Sequence, residues 1–375
     1  MKMDRFGDKV CCNPTVKLEK QRSYPLIDIE KITPGYKTVK NEEMVKYTGQ
    51  GGAKFQDHDI LFARITPCLE NGKTAIADIG GNKGTGSTEL FVFRGIDGIS
   101  DTDYIYYLLC MKHIRQLAAN SMTGASGRQR ADLDFIKRIE WDFPTLEKQK
   151  RIAEILSVFD SLIENNNKRI KVLEQMAENL YKEWFVRFRF PGHESAKFEN
   201  GLPKEWKIKK VKEIVKRLPF GTLYKTEDTE SEGKVIVIDQ SQDAFVGFHN
   251  NEPSHVATPE KPIALFGDHS CKYQLMITPF SLSENVVPYI GIDGVFTGYL
   301  YYLTHGIIET TEYKRHWTEF TAKKVLVAPL QLQRVFVEQI IPINEVIQKR
   351  KEANRNLIKQ RDFLLPRLMS GKLEV

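Results

Sequence analysis

The sequence predicts an α+β protein in which two mixed α/β domains alternate with two long amphipathic helices, the whole arranged as an internal duplication. Three observations carry this. A helical apolar period runs through residues 146–187. A second block of the same pattern follows at an offset of 184 residues, as Leu146 and Leu330 mark. Both remaining stretches contain strand-like apolar runs separated by Gly- and Asn-rich turns. The expected division is a first head over 1–145, a central connector helix over 146–190, a second head over 191–328 and a C-terminal connector over 329–375.

The first connector has apolar residues at 152, 155, 156, 159, 162, 163, 170, 173, 176, 177, 180 and 184, in recurring steps of three and four. Pro144 stands just before its start and Pro191-Gly192 just after its end. Taken as one helix, 146–187 spans roughly 60 Å at about 1.5 Å per residue. Such a helix is too long to bury in one small domain and needs a partner stripe, which the second block supplies. Across the two blocks Gln149 corresponds to Gln333, Leu156 to Ile340, Phe159 to Ile343, Ile163 to Ile347, Leu173 to Leu357 and Leu180 to Leu364. Pro342 is expected to kink the second helix or to split off a short leading helix, leaving 343–365 uninterrupted. Pro366 and Gly371 are expected to end it. Asn354, matched with the interior position of Ile170, reads as a register device rather than a ligand.

In the heads, 59–64 and 89–93 read as strands of the first, 234–238 and 262–267 as strands of the second. Tyr104-Ile105-Tyr106-Tyr107-Leu108 is echoed by Tyr299-Leu300-Tyr301-Tyr302-Leu303, each a short helix following strands. Otherwise the heads diverge while the connectors keep their pattern. Alike connectors with unlike heads describe a pseudo-twofold object whose connectors set distance and orientation. Duplex DNA with two unequal half-sites suits such an object.

Composition narrows the field. At 375 residues, 41% hydrophobic and 28% charged, the chain is globular and of two or three domains. No run of 18 apolar residues occurs, so neither a membrane span nor a membrane partner is expected. Residues 1–8 lack the apolar core of a signal peptide. The five cysteines are scattered and form no Cys-x-x-Cys, which argues against a disulfide framework or zinc ribbon and for a reducing cytoplasm. A net charge of +6 permits nucleic-acid binding without demanding it. DNA would be held by local patches, by base contacts or with help from other subunits.

Signatures of chemistry are missing. Asn71-Gly72-Lys73-Thr74 ends like a phosphate loop, but Pro67 stands where the flexible glycine belongs. Gly84-Thr85-Gly86 lacks the third glycine of a dinucleotide loop and precedes a strand. The sequence has no Asn/Asp-Pro-Pro-Tyr/Phe of an adenine methylase and no Pro-Asp of a metal-dependent nuclease. His249 and His255, six apart in a polar loop, read as solvated rather than metal ligands. No catalytic or metal site is expected.

Four motifs then carry a family resemblance: Phe143-Pro144-Thr145-Leu146-Glu147-Lys148-Gln149-Lys150-Arg151-Ile152, Leu180-Tyr181-Lys182-Glu183-Trp184-Phe185, Leu202-Pro203-Lys204-Glu205-Trp206, and Leu364-Leu365-Pro366-Arg367-Leu368-Met369-Ser370-Gly371-Lys372. In their order and spacing the chain resembles the DNA-specificity (S) subunit of Type I restriction–modification enzymes. The resemblance implies two target-recognition domains separated by two long antiparallel helices forming a coiled coil. Each recognition domain would read one half of a bipartite, asymmetric site on duplex DNA. The helices would act as spacer and dock for two methyltransferase subunits, joined by restriction subunits. It also implies that this chain is non-catalytic and binds no cofactor, with S-adenosylmethionine, ATP and Mg on the partner subunits. The sequence departs from the family in lacking a Leu-Pro-x-x-Trp opening before the first head, and in carrying Pro342. A two-headed scaffold without DNA, or a self-contained nuclease or methylase, are the rival readings.

Candidate DNA contacts follow. Arg128, Gln129 and Arg130 lie in a polar loop after 123–127, where Arg suits guanine and Gln adenine; a solvated loop touching only phosphate is the plain alternative. Arg64 ends a strand and Lys73 lies in the next loop, with a surface salt bridge as the alternative for both. In the second head, Lys272 and Tyr273 follow the matching strand. Lys314, Arg315 and Lys323 lie where the first head has its Arg-Gln-Arg loop. Trp317 is read as core. Lys204, Lys207, Lys209, Lys210, Lys212 and Lys216 form a basic run, read largely as a solvated helix face. Tyr181, Trp184 and Phe185 either cap the coiled coil or form part of the methyltransferase dock.

Overall fold

The computed structural model describes residues 3–40, 43–124, 128–241, 245–309 and 314–375. The chain divides into two units, one of residues 1–167 with 353–375 and one of 168–352, so each long helix contributes to both.

Unit 1 runs β1 (Asp4–Arg5), α1 (Phe6–Lys9), β2 (Val10–Cys12), β3 (Ser23–Ile27), β4 (Thr38–Val39), β5 (Met44–Lys46), β6 (Ala53–Gln56), β7 (Ile60–Ala63), β8 (Thr74–Ala77), β9 (Lys83–Gly86), β10 (Leu90–Gly95), α2 (Thr102–Cys110), α3 (Lys112–Asn120), α4 (Leu133–Arg138) and β11 (Glu140–Trp141), and enters α5 (Leu146–Tyr181). Its main sheet has the order β2-β10-β7-β8-β4 and its second sheet β5-β3-β9-β6, with β1 paired to β11. Strands β7, β8 and most of β10 are buried on both faces, which explains their unbroken apolar runs.

Unit 2 follows with β12 (Phe198–Glu199), β13 (Leu202–Pro203), β14 (Lys207–Lys210), β15 (Val215–Arg217), β16 (Val235–Ile238), β17 (Gly247–His249), β18 (Ile263–Gly267), β19 (Tyr273–Met276), β20 (Phe280–Leu282), β21 (Val286–Gly291), α6 (Thr297–Thr304), α7 (Trp317–Ala322) and β22 (Lys324–Val327), then α8 (Leu330–Met369). Its sheets have the orders β15-β21-β18-β19 and β17-β16-β20, with β14 paired to β22. These repeat the order of unit 1 without counterparts of β4 and β6 among the described residues: β15 takes the place of β2, β21 of β10, β18 of β7 and β19 of β8. The parallel pair β16 with β20 takes the place of β3 with β9. The heads that diverge in sequence thus share one topology. The missing Leu-Pro-x-x-Trp opening is made good by β1, which pairs with β11 as β14 pairs with β22.

The helix seam follows a seven-residue repeat. Gln149, Leu156, Ile163, Ile170 and Ala177 are buried on α5, and Gln333, Ile340, Ile347, Asn354, Arg361 and Leu368 on α8. This is the spacing of a coiled-coil seam. Within unit 1 the helices run antiparallel. Asp160 meets Arg361 at 2.5 Å, while further along α5 Asn166 donates to Asn354 Oδ1 at 2.8 Å. Asn354 in turn donates to Asn167 at 2.8 Å. The register role read for Asn354 therefore has two partners, since a slipped pairing would strand buried amides. Within unit 2, Lys351 and Glu174 lie 3.4 Å apart.

Three expectations need correction. Pro342 does not split off a short leading helix, since the second helix is continuous from Leu330 to Met369. Pro342 and Glu338 are both exposed, so the carbonyl that loses its amide partner faces water. Leu162 and Met176, counted in the apolar stripe, are 47% and 53% exposed, because a seam of seven-residue period buries a narrower face than a 3.6-residue pattern suggests. The lysine run is not a helix face: Lys207, Lys209 and Lys210 belong to β14, an edge strand whose charges suit an open edge.

Candidate nucleic-acid interface

In unit 1 the polar loop is sewn to the end of β7. Thr123 and Arg130 exchange backbone hydrogen bonds, the Thr66 amide donates to Gln129 O, and the Ala131 amide donates to Arg64 O. Arg64 and Arg130 are thereby gathered at one end of the main sheet, beside Asn13, Phe91 and Asp132, in an open cleft, with Glu89 paired to Arg130. Arg130 Nε and Nη2 both donate to the Glu89 carboxylate, the shortest at 2.6 Å. The Arg64 guanidinium lies over the Phe91 ring, 4.7 Å from its centroid. Hydrogen bonds from Arg130 hold the Glu89 carboxyl below the usual carboxylate range, and the Arg130 and Arg64 charges add to the effect. Arg128 is exposed and Gln129 half-buried. Lys73 takes another path: its Nζ donates to Ile29 O at 3.0 Å, so it is anchored away from that cleft. Residues 125–127 lie outside the described residues.

Unit 2 builds its corresponding end differently. Asp268, which follows β18 as Arg64 follows β7, accepts the backbone amides of His316 at 3.0 Å and Trp317 at 2.8 Å and so caps α7. Arg315 extends into solvent, its Nε 3.9 Å from Asp268. Lys314 lies beside it in the same loop. Lys323 is half-buried and pairs with Glu319 at 3.5 Å. Lys272 Nζ donates to the Ser241 carbonyl. Tyr273 stacks among Phe266, Phe320 and His305, and its hydroxyl faces Ile308 O. Burial pushes that phenol's pKa up, which marks Tyr273 as a packing residue. Trp317 packs on Tyr289, Phe266 and Phe320, as core.

His249 and His255 are not solvated. His249 is 3% exposed and stacked on Tyr224 with centroids 4.0 Å apart. Its Nδ1 accepts the Asn251 amide at 3.1 Å, so the proton sits on Nε2 and is donated to Ser281 Oγ at 2.8 Å. This Ser–His contact points the wrong way for a nucleophile, which would donate to the imidazole. His255 stacks on Phe280. Burial pushes His249, His255 and His305 below the ordinary histidine value. The sign follows: with folded pKa values lowered, their contribution to stability is complete above about pH 6.5 and is lost as pH falls below it. Unit 2 is expected to melt at lower temperature at pH 5.5 than at pH 7.5, by about 2–4 °C per kcal/mol of linkage. Amide exchange in β16, β17 and β20 at the two pH values checks this; equal protection at both would contradict it.

Among the described residues no group of three or more His, Cys, Asp or Glu could hold a metal ion, and no helix is long and apolar enough to cross a membrane.

Comparison with known proteins gives a match over the first head and most of α5. The family model described as the Type I restriction modification DNA specificity domain matches residues 12–175. The Type I restriction enzyme MjaIX specificity subunit of Methanocaldococcus jannaschii is 26% identical, over 76% of this chain and 72% of its own. The putative type I restriction enzyme MjaX specificity subunit of the same organism is 25% identical over 96% and 90%. A crystal structure of a Type I restriction–modification S subunit from M. genitalium superposes with a TM-score of 0.50 at 17% identity, over 98% of this chain and 96% of that one, which is a likeness of fold. Residues 12–175 thus match the Type I restriction modification DNA specificity domain, and the chain is similar to these specificity subunits.

In this chain the end of α5 is spent on packing. Residues Lys182–Val186 continue it as a wider helical turn. Phe185 is buried, and Tyr181 and Trp184 are half-buried; all three rings meet Phe336 of α8. Tyr181 also stacks on Tyr302, and Phe185 packs edge-on to Tyr299 at 4.8 Å.

The sequence reading missed Glu89 and Asp268, the carboxylates that organise the two loops. It noted Gln149 and Gln333 only as a matched pair. Both are buried, and each ties the start of its long helix to the first turn of a head helix. An interior Gln in both copies of an apolar repeat was the signal available.

Proposed function

We propose that this chain reads a bipartite, asymmetric sequence on duplex DNA, one half-site per head, and lends that specificity to two methyltransferase subunits and to restriction subunits. One observation carries the reading: both units place a basic loop at the same end of the same sheet, yet fill it with different side chains. Unit 1 presents Arg64, Arg128 and Arg130, and unit 2 presents Lys314 and Arg315. Shared topology with unlike readers is what two unequal half-sites require. The S-adenosylmethionine, ATP and Mg of the reaction belong to the partner subunits in this reading, and this chain supplies recognition rather than bond chemistry.

The methyltransferase dock is assigned to the helices. Tyr181 and Trp184 keep part of their surface open at the end of α5. Val172 and Met176, 56% and 53% exposed one turn apart, extend apolar surface on the same helix.

The test is an exchange of residues 1–143 for the first head of another family member, in the assembled methyltransferase. Methylation mapping is expected to show one half-site replaced and the other kept. A change in both half-sites, or in neither, contradicts one reader per head.

A further inference from the structure

We infer that Glu89 is a positioning residue for DNA reading: it holds Arg130 side-on, so that the outer edge of the guanidinium offers two parallel donors to a pair of acceptors, the N7 and O6 of a guanine in the half-site of unit 1. The inference rests on the reading proposed above and adds to it a residue and a base.

The donor inventory carries the argument. A guanidinium has five N–H groups in a fixed plane. Glu89 takes the Nε proton and one Nη2 proton, at 2.8 and 2.6 Å. What remains is the second Nη2 proton and the Nη1 pair, and along that edge Nη1 makes a long contact to Arg128 O at 3.5 Å. This outer edge has the spacing that matches two acceptors on one planar partner. Exposure agrees, since the Arg130 side chain is 44% exposed and that of Glu89 19%, so the carboxylate lies behind and the cation in front.

The surroundings fix the geometry. The Arg130 backbone is paired to Thr123 and bridges to Ile65, while Arg64 N donates to Glu89 O at 3.0 Å. Arg64 lies against Phe91 on the far side, so two cations share the cleft, while Asp132, which also lines it, accepts the Asp134 amide at 2.8 Å. A free arginine would lose rotamer entropy on binding; one already held in a plane loses less. Unit 2 repeats the theme independently, with Asp268 facing Arg315 and also anchoring its loop through two backbone amides.

Paired acceptors are also offered by phosphate, and the experiment separates the two sources. The full methyltransferase complex is assembled with wild-type chain, Glu89→Gln, Arg130→Gln and Arg130→Lys, and methylated positions are mapped genome-wide alongside overall rate. Gln at 89 keeps one oxygen but turns an NH2 toward the guanidinium, which breaks the side-on pair. Glu89→Gln and Arg130→Gln are expected to relax the same single guanine position of one half-site, about tenfold or more in preference, from the loss of one bidentate pair. The other half-site, kept intact in the same molecules, reports that the chain is folded and assembled. Arg130→Lys is expected to behave like Arg130→Gln, because a point charge cannot make the paired contact. An unchanged motif at reduced rate identifies a phosphate contact or a purely structural role and overturns the inference. Relaxation by Arg130→Gln with none by Glu89→Gln removes the positioning role. If the wild-type complex methylates no bipartite motif, the broader reading fails, and that result is separate from the behaviour of the variants.

Discussion

Replacing Arg361 alone, as Arg361→Met, is expected to cost unit 1 about 3–5 kcal/mol, because it leaves a buried carboxylate without its counter-charge. Arg361 and Asp160 are 5% and 7% exposed in the helix seam. Arg361 Nη1 donates to Asp160 Oδ1 at 2.5 Å and to Gly35 O at 2.8 Å, and Nε and Nη2 donate to Asp362. Tyr107 donates its hydroxyl to the other Asp160 oxygen, and Lys37 bonds Ser157 at 2.7 Å beside it. The 184-residue repeat puts Asn344 and Ala177 at the corresponding places, so unit 2 holds no such pair. The double variant Asp160→Leu/Arg361→Met is expected to recover more than half of the loss, since two apolar side chains remove both charges at once. Hydrogen exchange of α5 and α8 amides in the full chain is the measurement. Loss of protection should concentrate in residues of unit 1, and equal losses in the single and double variants would place the cost elsewhere.

Gln149→Leu and Gln333→Leu are expected to cost about 2–5 kcal/mol each, from a buried amide and at least one buried carbonyl left unpaired. Gln149 accepts the Asp101 amide at 2.9 Å and donates to Pro144 O at 2.9 Å. Gln333 accepts the Phe296 amide at 3.2 Å and donates to Ala328 O at 2.7 Å. Asp101 and Phe296 are the N-cap residues of α2 and α6, so each glutamine joins the entry of a long helix to the entry of a head helix. Leucine fills a similar volume and supplies neither partner. Each substitution should release protection only in its own unit, read as faster exchange in α2 or in α6. Loss in both units from a single substitution would show that the staples are not local.

Much of the fold was legible because periodicity is a property of the chain alone. The apolar runs at 60–63, 90–93, 235–238 and 263–266 became strands, and the two Tyr-rich echoes became α2 and α6. The shared topology of the heads was not legible. Strand order depends on pairing between distant residues, and different side chains satisfy the same ladder, as Phe62 opposite Phe91 and Phe266 opposite Val287 illustrate. One recurring detail shows what survives divergence. Gly95 and Gly291 each close against the carbonyl of a following turn, where a Cβ would lie 2.5 and 2.1 Å from Ser100 O and Val295 O. Each also donates its amide to a threonine hydroxyl, Thr102 or Thr297, at 3.1 Å.

The candidate interface divides the same way. Arg64 and Arg130 could be named from their loops, because Arg and Gln beside glycine are chemically suited to base edges. The place of Lys73 could not, because its partner Ile29 O lies 44 residues away. Glu89 was invisible for the same reason: it becomes a partner of Arg130 only when the loop folds back over the end of β10.

By itself the sequence determined two amphipathic rods of common register, two heads of unlike composition and a family resemblance carried by ordered motifs. These are local or periodic properties that short-range physics reads directly. Tertiary structure decided the pairing of Glu89 with Arg130, the burial of His249, the charge at the heart of unit 1 and the continuity of α8 through Pro342. Each depends on which distant groups meet and on how much water is left between them, and free energies of desolvation and pairing are set by that meeting rather than by sequence neighbours.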